Sequence, residues 1–156
     1  MTFIERVAHF LVTLGPIGYM PASGTLATLF TLACLLFCSY LGIQFYIIRF
    51  IIPLVGLSLI LIHFVLKWFP QTDPPEIILD EVVGYFFAVS IFPLKPLWLI
   101  SAAILFRLFD ISKIWGIGRL EKIGGAPGIL LDDLLAGFFT QVTIILGCIG
   151  YDVWFR

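Results

Sequence analysis

Charged side chains are scarce in this sequence. They make up 12% of its 156 residues, whereas hydrophobic residues make up 61%; globular proteins carry about a quarter charged residues. A soluble domain of this length could not bury so much apolar surface, so part of that surface is expected to face lipid. The formal net charge of -1 and the lack of a Lys/Arg tract exclude a basic nucleic-acid-binding protein.

Cysteine is also rare. Cys34, Cys38 and Cys148 lie in apolar runs without zinc-ligand spacing, and their odd number argues against a disulfide framework. We interpret them as small lipid-facing or core residues. The first residues lack the basic region, apolar core and cleavage site of a signal peptide. The chain is therefore predicted to stay in the membrane by its own spans.

Long uncharged runs predict an all-α integral membrane protein with a single membrane-embedded domain, residues 1–156. A helix needs ~20 apolar residues to cross the hydrocarbon core, so about three full spans are expected. These spans are Leu26–Ile48, Phe50–Leu66 and Leu134–Tyr151. The remaining apolar region, 82–106, is broken by Pro93 and Pro96. We favour a helical hairpin there, with arms Val82–Phe92 and Leu97–Phe106, over a single span.

The hairpin decides which acids can meet. A hairpin returns the chain to the membrane face that it left, whereas one span would separate Asp80 and Glu81 from the later acids. With the hairpin, most basic residues fall on the acidic face, namely Arg6, Lys67, Arg107, Lys113, Arg119 and Lys122, while Arg49, Lys95 and Arg156 fall on the other. By the positive-inside rule the acidic face is then cytoplasmic.

The first acidic cluster follows two prolines, in residues 73–81 (Asp-Pro-Pro-Glu-Ile-Ile-Leu-Asp-Glu). Asp73 suits a helix N-cap and the prolines suit the first turn, which would place Glu76 and Asp80 on one helical face. Like charges there repel unless a cation lies between them. A solvated cap is the alternative for Asp73, but Asp80 and Glu81 lead directly into an apolar helix, where charges tend to be functional.

Two further clusters follow in the chain. The first carries charges of both signs, and the second carries two adjacent acids. Arg107, Asp110 and Lys113 repeat every three residues, which fits either an exposed ion-pair ladder or a metal ligand flanked by phosphate-binding cations. Asp132 and Asp133 follow a glycine-rich loop, Gly124–Gly128, at the head of the last span. Adjacent carboxylates on a helix point ~100° apart and suit metal ligation, although they would also complement a helix N-terminus.

The segment 15–25 is a loop rich in glycine and proline that ends in Gly24-Thr25 before the first span. Amides at a helix N-terminus form an anion site, and the alternative is an ordinary loop capped by Ser23 or Thr25. We interpret His9 and His63, which are isolated in apolar surroundings, as structural or interfacial residues.

In chain order, these four segments resemble the phosphatidylglycerophosphatase A family of bacterial membrane enzymes. The matching residues are Gly24-Thr25, Ile-Ile-Leu-Asp-Glu-Val-Val-Gly at 77–84, Phe-Arg-Leu-Phe-Asp-Ile-Ser-Lys at 106–113 and Gly-Ile-Leu-Leu-Asp-Asp-Leu-Leu-Ala-Gly at 128–137. The resemblance covers nearly the whole chain, and the combination is much more specific than any one motif. Ser23, Ile114 and Gly116 stand where the family pattern has proline, which affects loop shape rather than charge.

The resemblance implies Mg²⁺-dependent removal of the terminal phosphate of phosphatidylglycerophosphate, giving phosphatidylglycerol, in phospholipid biosynthesis at the bacterial cytoplasmic membrane. The implied metal-binding and catalytic residues are Asp80, Glu81, Asp110, Asp132 and Asp133, one of which could instead be a general base. The implied phosphate-binding residues are Arg107, Lys113, Gly24 and Thr25. The active site would face the cytoplasm.

Two other classes stay open. A small transporter or cation-conducting subunit would place its carboxylates within the spans, whereas here they border the predicted spans. A lipid phosphotransferase would use the same metal chemistry but would need an acceptor site, for which we see no motif. No cysteine is followed by the arginine of a Cys-phosphatase loop, and Asp110 lacks the second aspartate of an aspartyl-phosphate phosphatase.

Overall fold

The computed structural model describes residues 2–43, 46–114, 120 and 123–155, with side chains as far as residue 152. Its described residues form six α-helices and no strand, as predicted for an all-α protein. The helices are α1 (Phe3–Thr13), α2 (Ser23–Tyr40), α3 (Ile51–Leu66), α4 (Leu79–Val89), α5 (Pro96–Ser112) and α6 (Gly125–Phe155). Of the residues singled out in the sequence, Gly116, Arg119, Lys122 and Arg156 lie outside the described residues.

Two described helices, α2 and the Gly125–Asp152 part of α6, are long and apolar enough to cross a membrane. By contrast, α3 has 16 residues, or about 24 Å, which is less than the hydrocarbon thickness of about 30 Å. Three full spans are therefore not established. The predicted bounds also change, because α2 ends at Tyr40 before a turn in which Gly42 has a φ of +70°.

A helix that was not predicted, α1, precedes the first span. The hydroxyl of Thr2 accepts from the amide of Glu5, while the Glu5 carboxylate accepts from the amide of Thr2, which forms a capping box. Ala8 and Val12 are buried, and the amide of Ile78 donates to the carbonyl of Val12 at 3.0 Å. This bond ties the end of α1 to the residue that precedes α4.

The proline-broken region forms two helices joined by a turn. The arms are Leu79–Val89 and Pro96–Ser112, whereas the sequence predicts Val82–Phe92 and Leu97–Phe106. The hydroxyl of Tyr85 donates to the carbonyl of Leu99 at 2.8 Å, and the rings of Tyr85 and Phe106 lie 6.0 Å apart. The arms therefore run antiparallel, and the start of α4 lies beside the end of α5.

Glycines bring the backbones of α4 and α6 together. A Cβ on Gly84 would lie 2.8 Å from the Cβ of Asp133, and one on Gly137 would lie 2.8 Å from the carbonyl oxygen of Gly84. Small residues permit such close helix packing. Farther along, the Gln141 side-chain amide donates to the carbonyl of Phe87 at 2.6 Å. These contacts determine which residues of α6 face the first turn of α4.

One local prediction about the first acidic segment is wrong. The helix expected to start at Pro74 begins instead at Leu79, with Ile78 rather than Asp73 as its N-cap, so Glu76 lies outside α4. Backbone groups of this segment bond to α1 and α2 instead of starting a helix.

The glycine-rich segment before the last acids is also not a loop. Helix α6 begins at Gly125 rather than at Leu134, so Asp132 and Asp133 lie about two turns inside the helix.

We expect Gly137→Ala to destabilise the protein, because the new Cβ would lie 2.8 Å from the carbonyl oxygen of Gly84 and overpacking costs about 1–3 kcal/mol. Gly147→Ala is the matched control on the same helix, since a Cβ there meets nothing within 4 Å. Thermal unfolding of the two variants in detergent measures the difference. Equal midpoints would contradict this account of the α4–α6 contact.

Candidate active site

All five acids predicted as metal ligands line one small cavity, which lies where the starts of α4 and α6 meet the end of α5. Its volume is about 170 Å³. The charged residues that line it are Asp73, Asp80, Glu81, Asp110, Lys113, Asp132 and Asp133. The antiparallel hairpin explains this convergence, because it brings residues about 30 positions apart in the chain to the same end of the bundle.

Three of these acids form the centre of the cluster. Asp80, Glu81 and Asp133 each offer a carboxylate oxygen, and these oxygens lie within 4.8 Å of one another. Asp80 is 7% exposed and Asp133 is 3% exposed. The first two residues lie in the first turn of α4, and the contact at Gly84 brings α6 close enough for Asp133 to join them. Such an all-oxygen donor set suits a hard cation such as Mg²⁺.

The electrostatics of the cluster favour a positive partner. Burial, followed by the charges of Glu81 and Asp133, raises the pKa of Asp80 well above its usual range. Burial also raises the pKa of Glu81. Oδ1 of Asp80 and Oε2 of Glu81 are buried without a hydrogen-bond partner among the described residues. Because unpaired buried charges are costly, these oxygens fit the ligand positions of a bound cation.

The other two predicted ligands lie beside cations. Nη1 of Arg107 is 2.7 Å from Oδ2 of Asp110, and Nζ of Lys113 is 3.5 Å from Oδ2 of Asp132. The amide of Asp133 donates to the second oxygen of Asp132 at 3.1 Å. The ion-pair interpretation of residues 107–113 thus describes the Arg107–Asp110 contact only in part, because these side chains are 18% and 13% exposed rather than solvated. Lys113 instead reaches across to α6.

A second cavity, of about 490 Å³, adjoins the acidic one and shares Pro75 and Glu81 with it. Gly24, Thr25 and Arg107, which were predicted to bind phosphate, line this larger cavity. Lys113 lines the acidic cavity itself. Nε of Arg107 is buried without a hydrogen-bond partner among the described residues. The two cavities therefore place guanidinium donors directly beside the carboxylate cluster.

Gly24 lies inside the first turn of α2 rather than in the preceding loop. A Cβ at this position would collide with Oε1 of Glu81 and lie 3.1 Å from Nη1 of Arg107. The absence of a side chain is therefore what lets the Glu81 carboxylate pass between α2 and α5. The capping interpretation is wrong, because the N-cap is Ala22 and the Ser23 hydroxyl donates to a carbonyl of the segment before α4.

Two ionisable side chains that line the larger cavity, those of Tyr19 and Glu76, were not among the predicted site residues. The hydroxyl of Tyr19 lies 3.1 Å from Nε2 of His9, and partial burial and then the charge of Glu76 raise the pKa of Tyr19. His9 stacks on Phe69 with ring centroids 5.6 Å apart, in accord with its structural interpretation. No spacing rule links these positions, since they come from separate turns.

A model of the phosphatidylglycerophosphatase A family matches residues 10–147, a range that includes every acid of the cavity. The chain belongs to the phosphatidylglycerophosphatase A family. The resemblance inferred from the four motifs is thereby confirmed. The family relationship applies to the α2–α6 region and to the last part of α1.

Two curated relatives each match about half of this chain. One, from Bacteroides thetaiotaomicron, is named as a candidate phosphatidylinositol-3-phosphatase and is 36% identical over 75 residues, 46% of this chain and 47% of the relative. The other, from Haemophilus influenzae, is named phosphatidylglycerophosphatase A and is 36% identical over 74 residues, 46% of this chain and 45% of the relative. The matched part thus spans about half the length of these relatives. No solved structure matches the chain at a significant level.

We expect Asp80→Asn to raise the thermal midpoint of the metal-free protein by about 2–4 °C, the shift for about 1 kcal/mol in a chain of this size. The change removes a carboxyl group whose ionisation is opposed by burial and then by the charges of Glu81 and Asp133. Mg²⁺ should stabilise the wild type but not the variant, since it binds only the folded cluster. Thermal scans with Mg²⁺ and with chelator measure both effects.

Asp152→Asn is the control for Asp80→Asn, because Asp152 is an exposed carboxylate at the far end of α6. It should keep the stabilisation by Mg²⁺. A metal response that survives Asp80→Asn would show that the cation binds elsewhere.

Because the pKa of Asp80 is raised in the folded state, the metal-free wild type should also lose stability as pH rises above the ordinary carboxyl range.

Proposed function

We propose that this protein hydrolyses the terminal phosphomonoester of phosphatidylglycerophosphate to phosphatidylglycerol and phosphate, as a step of phospholipid biosynthesis. The observation that carries the proposal is the Asp80–Glu81–Asp133 cluster, whose unpartnered oxygens lie beside a cavity lined by Arg107. A cation held by carboxylates next to a guanidinium suits a bound phosphate. Family membership and the name of the Haemophilus relative support the choice of substrate.

Mg²⁺ is the proposed cofactor, with Asp80, Glu81 and Asp133 as its ligands. When bound, it would neutralise phosphate charge and make a water molecule more nucleophilic. Asp110 and Asp132, which were also predicted as ligands, line the same cavity. We assign to them the orientation of Arg107 and Lys113, the cations beside which they lie.

The chain's own residues would bind the phosphate and stabilise the charge that develops on it. Arg107 lines the larger cavity, and its buried Nε–H has no hydrogen-bond partner among the described residues. Lys113 adds a positive charge from the acidic side. Gly24 and Thr25 lie in the first turn of α2, where amides have no intrahelical acceptor and suit an anion.

In the reaction, water forms the new P–O bond, the bond to the glycerol oxygen breaks, and that oxygen leaves with a proton.

The proposed setting is the bacterial cytoplasmic membrane, with α2, α3 and α6 as spans and the α4–α5 hairpin entering from the acidic side. Arg107 and Lys113 lie at the acidic end, whereas Lys95 lies in the turn before α5 and Arg49 contacts Tyr46, which lines a cavity with that turn. This distribution supports a cytoplasmic active site by the positive-inside rule. A phosphate on a lipid headgroup would then reach the cavities at the interface.

The position of Asp132 and Asp133 inside α6 bears on the transporter alternative. That alternative requires carboxylates within the hydrocarbon core. Helix α6 has 31 residues, or about 46 Å, which exceeds the core thickness of about 30 Å by several turns. Its first two turns can therefore extend beyond the hydrocarbon, and a headgroup-level site remains the better fit to the helix length.

A second candidate substrate is phosphatidylinositol 3-phosphate, because the Bacteroides relative is named as a candidate phosphatidylinositol-3-phosphatase and matches this chain to the same identity. Both lipids present a phosphomonoester on an alcohol that is joined to the acyl chains through a phosphodiester. The same metal and arginine chemistry would serve either lipid, so the alcohol-binding part of the larger cavity would decide between them.

Purified protein should release phosphate from phosphatidylglycerophosphate in mixed micelles with Mg²⁺, and release should stop with chelator. Asp133→Asn should lower kcat/KM by a factor of about 100 or more, because a lost metal ligand weakens metal affinity or activity to that extent or further. Phosphatidylinositol 3-phosphate measured in parallel ranks the two substrates. Failure of the wild type to act on either lipid with metal present would refute the proposal.

Gly24→Ala should also lower kcat/KM by a factor of about 10–100, because the added methyl would displace the Glu81 carboxylate from the cluster and small misplacements cost about 100-fold. Gly56→Ala is the control, since a Cβ there meets nothing within 4 Å. Michaelis kinetics on both variants test the effect. Equal loss in the two variants would argue against a specific contact between Gly24 and Glu81.

A further inference from the structure

Helix α1 has a buried face, an exposed apolar face and a polar face. Ala8 and Val12 are buried against the bundle, while Phe3, Ile4 and Phe10 are 80%, 72% and 59% exposed. The exposed apolar residues follow the helical period, so they form one stripe. Such a stripe opposite a polar side is typical of helices that lie in the membrane interface, with the apolar side in the acyl-chain boundary and the polar side among the headgroups.

Arg6 and His9 come from the polar side of the same helix and line a third cavity, of about 420 Å³, between α1 and the turn at Gly15-Pro16. Tyr19 lines both this cavity and the larger cavity that contains Arg107. The larger cavity in turn shares Glu81 with the acidic one. A row of three adjoining cavities therefore leads from the lipid-facing helix to the carboxylate cluster.

Four contacts hold the polar lining of the third cavity in place. The hydroxyl of Tyr19 lies 3.1 Å from Nε2 of His9, and the His9 ring stacks on Phe69. The Thr13 hydroxyl donates to the carbonyls of His9 and Gly15, at 3.0 and 3.1 Å, which joins the end of α1 to the turn. The site is thus organised by its own residues, and the Arg6 guanidinium adds a positive charge to it.

We propose that this third cavity binds the phosphodiester of the lipid substrate, with Arg6 as its charged anchor and His9 and Tyr19 as hydrogen-bonding partners. The inference rests on the proposed function, because a phosphomonoester held at the Asp80–Glu81–Asp133 cluster leaves the diester of the same headgroup nearer to the acyl chains. Tyr19 lines both the third cavity and the cavity that contains Arg107, so the third cavity lies on the α1 side of the proposed phosphate site. Arginine suits the diester, since its planar fork pairs with phosphate oxygens.

The test measures binding of dihexanoyl phosphatidylglycerol, which carries the diester but no phosphomonoester, to the full-length protein in neutral detergent by calorimetry. Arg6→Gln should weaken binding about tenfold, and Arg6→Lys should restore most of it, because one charge-assisted hydrogen bond is lost and partly regained. Arg49→Gln is the matched control, because Arg49 is an exposed arginine near the opposite end of the bundle and its loss should leave binding unchanged. Dihexanoyl glycerol, which lacks the phosphate, should bind equally to wild type and Arg6→Gln.

A second readout separates this subsite from the proposed activity. With phosphatidylglycerophosphate, Arg6→Gln should raise KM about tenfold and leave kcat close to that of the wild type. Binding of phosphatidylglycerol requires no catalysis, so a wild type that releases no phosphate refutes the proposed function and still allows the subsite to be tested. Wild-type binding by Arg6→Gln, or equal weakening by Arg49→Gln, would overturn the inference.

Discussion

Backbone contact between α4 and α6 is possible only because glycines occupy positions 84 and 137. A side chain at either position would meet the neighbouring helix at 2.8 Å, and the helices would have to separate. Separation would carry Asp133 away from Asp80 and Glu81, which lie one turn before Gly84 on α4. The carboxylate cluster therefore depends on van der Waals contact between two backbones rather than on any attraction among its members.

The cluster itself opposes folding when no cation is present. Burial raises the pKa of Asp80 and of Glu81, and each has an oxygen without a hydrogen-bond partner in the described part of the chain. Acids at a functional site are often retained at a cost to stability. Here the packing of α4 against α5 and α6, through buried residues such as Tyr85 and Phe106, offsets that cost.

Much of the architecture followed from the sequence because its signals were local. Prolines at 93 and 96 predicted the break between α4 and α5, and the long uncharged runs predicted helices. Helix α1 was missed because Glu5 and Arg6 interrupt its apolar residues, so it does not resemble a span. The starts of α4 and α6 were misplaced because a helix start depends on which distant groups take the backbone hydrogen bonds of the preceding segment, as Val12 does for Ile78.

The sequence by itself determined the helical class, the family and the set of acids and cations that could meet, because periodicity, proline positions and motif order are written along the chain. Only the tertiary structure decided that Asp80, Glu81 and Asp133 form the centre of the cluster while Asp110 and Asp132 lie beside Arg107 and Lys113. Only it placed α1 and Tyr19 beside the site. Such choices depend on distances between separate helices, which follow from side-chain volume at their crossings and not from spacing in the sequence.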